Sequence, residues 1–96
     1  MKNSNIASTT YWVVTLQNNQ GVLEFISKET VEPRAGIEIH TSPDALRALK
    51  IPEEDKARKF VELIQGHCIK LGWNKIYIQK VKTTLEIIDT VMLLVN

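Results

Sequence analysis

The chain has 96 residues, 44% of them hydrophobic and 24% charged, with 12 Lys plus Arg against 11 Asp plus Glu. That length allows one domain with a modest core and leaves no room for a second. A formal charge of +1 excludes the global basic field of a protein that holds nucleic acid mainly through phosphates. One cysteine, Cys68, rules out an internal disulfide, and no Cys/His cluster has zinc-ligand spacing. The sequence therefore carries no metal and no cofactor signature. The N-terminus lacks the apolar run of a secretory signal, and no segment is apolar enough to span a membrane, so a cytoplasmic location is expected.

Residues 1–9 are small and polar and read as a flexible N-terminal arm, leaving 10–96 as a single α+β domain. Tyr11 to Gln17 is rich in aromatic and β-branched residues, Asn18-Asn19-Gln20-Gly21 is turn chemistry, and Val22 to Ser27 returns as a second strand. In this hairpin Trp12, Val14 and Leu16 share one apolar face, and Leu23 and Phe25 are expected to meet the same core. Pro33 marks a surface connection within 28–35. Gly36 to Thr41 alternates as a short strand, with Ile37 and Ile39 inward and Glu38 and His40 outward.

Thr41-Ser42-Pro43-Asp44 has the chemistry of a helix start and predicts a short helix from Asp44 to Leu49, ended by Pro52. Beyond Pro52, the acids Glu53, Glu54 and Asp55 open the main helix. Ala57, Phe60, Val61, Ile64, Cys68 and Leu71 recur at helical spacing, and Gly72 stops it. Trp73 to Lys82 is a strand with Ile76 and Ile78 inward and Lys75, Tyr77 and Gln79 on the other face. Thr83-Thr84-Leu85-Glu86 matches a capping box, and Leu85, Ile88, Val91, Met92 and Val95 form a helical stripe, so a C-terminal helix is predicted. Its many β-branched residues support the alternative, a strand continuing the sheet through Ile87. The expected fold is a small, mostly antiparallel four-stranded sheet with one long helix, a short helix and the C-terminal helix on one face.

No residue set reads as a catalytic centre. His67 and Cys68 are adjacent on a helix and so point about 100° apart, with the thiol in the apolar stripe. His40 has Glu38 two residues along the same strand face but no identifiable nucleophile. Glu53, Glu54 and Asp55 fan around a helix start instead of converging on a cation. Glu24 and Glu38 as a catalytic pair would need a separation that sequence does not fix. The expectation is thus a non-enzyme.

Two surfaces remain. Tyr11, Glu24, Glu38, His40, Tyr77 and Gln79 are assigned to an open sheet face of mixed polar and aromatic composition, as protein-binding surfaces favour. The leading reading is a small protein-interaction module. It would bind a larger protein through this face or an edge strand, as a phage- or mobile-element-encoded inhibitor of a host protein would. The alternative is nucleic-acid binding through Lys70, Trp73, Lys75, Tyr77, Lys80 and Lys82, an interval with no acid and two aromatics. The apolar C-terminal segment adds homodimer formation as a further expectation.

Overall fold

The computed structural model describes residues 6–30 and 36–94. Its elements are β1 (Ile6–Asn18), β2 (Leu23–Ile26), β3 (Thr41–Ser42), a 3-10 turn (Ala45–Arg47), α1 (Glu54–Lys70) and β4 (Trp73–Glu86). The strands form one antiparallel sheet in the order β3-β2-β1-β4, and α1 covers one of its faces. The expected small α+β architecture is therefore the observed one.

Burial explains the layering. Val14 and Leu16 of β1, Ile26 of β2, Ile51, and Ala57, Ile64 and Cys68 of α1 form the buried cluster, with Trp12, Phe60, Val61, Ile76 and Ile78 packed around it. The even positions of β1 thus face the helix, as the alternation predicts. Leu71, placed in the helical stripe by its spacing, is exposed instead, because the helix has ended before it. There the Leu71 N–H is shared by the carbonyls of His67 and Cys68, and Gly72 takes φ +96° to turn into β4.

Beyond the end of β2 the chain departs and returns to fill the same place in the sheet. Trp12 and Ile51 exchange backbone hydrogen bonds at 2.6 and 2.8 Å, and Leu49 N–H donates to Ile26 at 2.9 Å. Ser27 and Ala48 bridge, and Arg47 Nη2 reaches Glu29 Oε1 at 3.0 Å. This clamp secures the 48–51 segment and delivers Ile51 to the core.

Several sequence expectations are corrected. Leu23 and Phe25 do not share the core face. Leu16 pairs with Glu24, Thr15 with Phe25 and Gln17 with Leu23, and paired residues lie on one side of a sheet. Only Ile26 of β2 is buried in the core. The strand expected over 36–41 is regular only at Thr41–Ser42, although Ile37 and Ile39 still pack toward the core while Glu38 and His40 stay exposed. The short helix is a single 3-10 turn that buries none of its residues, its first turn capped by the Asp44 carboxylate accepting from Leu46 N–H at 2.9 Å.

The C-terminal helix does not form. β4 runs on to Glu86 because Tyr11 to Ile6 supplies a pairing partner for Val81 to Glu86, and tertiary pairing overrides the capping-box signal. Residues 87–94 have no regular secondary structure and are exposed, while Val95 lies outside the described residues. The same pairing makes residues 6–9 of the expected arm part of β1, so the ordered sheet begins at Ile6 instead of Thr10; residues 1–5 lie outside the described residues, as does the connection around Pro33.

A register shift separates the pairs Gln17–Lys75 and Asn18–Trp73. The extra residue on β4 is Asn74, and its side-chain amide donates to Asn19 Oδ1. The bulge moves odd-numbered Trp73 onto the side of Ile76 and Ile78, where its ring packs against the core.

Candidate functional site

The face of the sheet away from α1 holds a depression of about 450 Å³ lined by Thr15, Gln17, Leu23, Phe25, Tyr77 and Gln79. Its floor follows from hairpin register. The four-residue loop 19–22 is closed by Asn18 N–H donating to the Val22 carbonyl at 3.1 Å, with Gly21 at φ +80°. The Asn18 Oδ1 accepts from the N–H groups of Gln20 and Val22, each at 3.0 Å. That closure sets Leu23 and Phe25 opposite Gln17 and Thr15, and so on the open face.

Two hydrogen bonds cross the β1–β4 ladder diagonally. The Thr15 hydroxyl donates to Gln79 Oε1 at 2.6 Å, and the Tyr77 hydroxyl donates to Gln17 Oε1 at 3.1 Å. Thr15 is buried, so its hydroxyl has its partner where water has no access. Together the two bonds fix the Tyr77 ring and both glutamines around the depression. Leu23 remains 52% exposed and Tyr77 42% exposed, giving a rim of apolar carbon interleaved with amide groups.

Of the six residues assigned to this face from sequence, only Tyr77 and Gln79 line the depression. Tyr11 lies on the same face further along β1, opposite Val81, with the Lys50 ammonium 5.2 Å from its ring centre. Glu24 is on the helix side and accepts from the Thr41 hydroxyl at 2.6 Å. Glu38 and His40 sit beyond β3, with β2 and β1 between them and Tyr77, and their side chains pair at 2.9 Å. Glu24 and Glu38 are thus each engaged with a different neighbour. Sequence reading missed Thr15 and Gln17 of β1 and, on β2, Leu23 and Phe25. The signal for the β2 pair was the loop itself: a turn centred on Gln20 pairs even positions with even ones, which puts Glu24 beside Leu16.

The basic interval is also divided. Lys75 and Tyr77 face the open side, Lys80 and Lys82 pair with Trp12 and Thr10 on the helix side, Lys70 ends α1, and Trp73 is half-buried against the core. Strand parity separates 75 and 77 from 80 and 82. Glu53 pairs with Lys56 at 3.3 Å and Glu54 with Arg58 at 2.7 Å, so these acids are spread along the first turns. Burial pushes the Cys68 thiol pKa up, the opposite of what a nucleophile needs, while neighbouring His67 is exposed.

Two further depressions flank α1. One, of about 320 Å³, lies against β4 and is lined by Arg58, Val61, Glu62, Ile76 and Ile78. The other, of about 380 Å³, lies between the helix C-terminus and the Ile37–Ile39 segment. Among the described residues, no three His, Cys, Asp or Glu side chains gather as a metal-binding group, and no helix is long and apolar enough to cross a membrane. No protein-family model, curated protein or solved structure matches the chain.

Proposed function

We propose that the chain is a small, non-enzymatic interaction module that binds a larger protein through the open face of its sheet. The observation that supports this reading is the depression bounded by Leu23, Phe25 and Tyr77, with Gln17 and Gln79 held in place beside them. An apolar anchor from the partner would enter between the three carbon-rich side chains. The glutamines would then satisfy polar groups flanking that anchor. Occupying a surface in this way is how a small inhibitor blocks a larger protein, and the chain is proposed to act in that manner.

The test uses tagged wild-type chain and a Leu23→Asp/Tyr77→Ala variant, each incubated with lysate of the source cell with and without nuclease. A discrete protein retained after nuclease is purified and its affinity measured against both chains. Because central anchors of an interface each contribute about 2 kcal/mol, affinity should drop by about 30-fold or more in the variant with its far-UV spectrum unchanged. Unchanged affinity in the folded variant removes this face from the function. Binding that depends on nuclease-sensitive material points instead to the lysines of β4.

A further inference from the structure

Backbone direction decides which residues of β4 are open to a partner. Trp12 exchanges both of its backbone hydrogen bonds with Ile51, on the side of β1 away from β4, so its ladder partner Lys80 bonds nothing on β1. Backbone groups alternate along a strand. The odd residues of β4 therefore bond β1, and the even ones, Ile76, Ile78, Lys80 and Lys82, direct their N–H and C=O groups outward. Among the described residues no strand lies beyond β4, so this edge is open.

The same four residues send their side chains to the helix side. Ile76 and Ile78 line the depression of about 320 Å³ with Arg58, Val61 and Glu62 of α1. Because β4 is the outermost strand, that depression and the open edge adjoin as one groove between strand and helix. On the helix wall Arg58 is held by Glu54 at 2.7 Å, and Glu62 is the acid of the lining. Along the strand the groove changes character, from two isoleucines to two lysines. Among the described residues neither Lys80 nor Lys82 is paired with a carboxylate.

We propose that this groove binds an extended peptide segment of acidic and aliphatic residues, which adds as an antiparallel strand to the outer edge of β4. Paired residues lie on one side of a sheet, so the peptide residues opposite Lys82, Lys80, Ile78 and Ile76 all face the helix side. In chain order the segment reads acid, any, acid, any, aliphatic, any, aliphatic. Its acids meet Lys82 and Lys80, and its aliphatic side chains enter the depression at Ile78 and Ile76. Main-chain bonds to the open edge supply affinity, and the alternate side chains supply selectivity. A slip by one residue would turn the acids and the aliphatic side chains away from the helix, so the alternation itself fixes the register. This groove is separate from the open-face depression, and either surface can fail without the other.

The probe is a fluorescein-labelled heptapeptide with blocked ends, Glu-Thr-Glu-Thr-Val-Thr-Val, titrated with the full chain at low salt and read by anisotropy; it should bind saturably. Lys80→Glu/Lys82→Glu should weaken binding by about tenfold or more, and the same variant should bind Lys-Thr-Lys-Thr-Val-Thr-Val about tenfold more tightly than wild type does. Lys28→Glu makes the same charge change beyond β2, with β1 between it and β4, and should leave affinity within about twofold. Serine at both valine positions of the probe should weaken binding by about tenfold or more. Methylating the backbone nitrogen of the fifth probe residue, whose N–H points at β4, should abolish binding, whereas methylating the fourth, whose N–H points to solvent, should not. Far-UV spectra and thermal midpoints show that each variant is folded. No saturation up to about 1 mM, indifference to the lysine reversal, equal loss from either methylation, or a single-stranded oligonucleotide that binds more tightly than the peptide and is lost with the same two lysines would each overturn the proposal.

Discussion

Ser27, Glu29 and Arg47 show how a few polar side chains shape this small fold. The buried Ser27 hydroxyl donates to the Glu29 carboxylate, whose backbone N–H returns a bond to Ser27 Oγ at 3.2 Å, and Arg47 closes the group from the 3-10 turn. The Ser27 hydrogen bond first, and then the Arg47 guanidinium, hold the Glu29 carboxyl below its ordinary value of 4.5. A carboxyl with a lowered folded-state pKa stabilises the fold above the unfolded value, and that contribution fades as pH falls through the folded one. Glu29→Gln should therefore lower the urea midpoint near neutral pH, and the gap between variant and wild type should narrow as pH drops below about 4.5. Paired denaturation curves at pH 7 and pH 3 measure that gap; a gap that stays constant would show that the carboxylate's charge has no part in the clamp.

At the scale of elements, α1 contains a built-in weakness and a built-in stop. A Cβ at Gly66 would meet nothing within 4 Å, and its backbone is ordinary helix. Gly66→Ala should raise stability by roughly 0.5–1 kcal/mol through restriction of the unfolded chain and better helix propensity. Gly72 differs because φ +96° disfavours any side chain, so Gly72→Ala should lower stability by about 1–2 kcal/mol. Thermal midpoints of the two variants should move in opposite directions. The helix was legible in sequence because its boundaries are chemical: Pro52 before it, three acids at its N-cap and first turn, Gly72 after it, and Ala57, Ile64 and Cys68 on one stripe. The inward residues of β1 and β4 were legible from their own alternation. How strands combine was not. Alternation within Val22–Ser27 cannot say which parity faces the helix, because that depends on the loop closed by Asn18. The fate of Thr83–Glu86 was legible only as an alternative: the β-branched residues favoured the strand that forms, but the local capping signal is genuine and is overruled by pairing with a strand more than seventy residues away. The candidate site was half legible for the same reason: Tyr77 and Gln79 follow from one strand's pattern, whereas Leu23 and Phe25 need the register between two.

For the whole molecule, the consequential feature is the ladder that joins Ile6 to Glu86 and Asn18 to Trp73. The first strand made is completed by the last. During synthesis, β1 emerges from the ribosome with β2 as its nearest partner, but β2 pairs with it only over Thr15–Gln17. Its apolar positions Trp12, Val14 and Leu16 must wait for both α1 and β4 before they are enclosed. Closing so long a loop before its contacts form places the chain among slow folders, on the order of milliseconds to seconds, although α1 alone can fluctuate into shape far sooner. A ribosome-bound chain halted before Trp73 should leave Val13 and Val14 open to protease, and one extended past Glu86 should protect them. Until that last strand arrives, the nascent protein is an unpaired β edge in search of a partner, and its survival in the cell depends on how quickly translation supplies one.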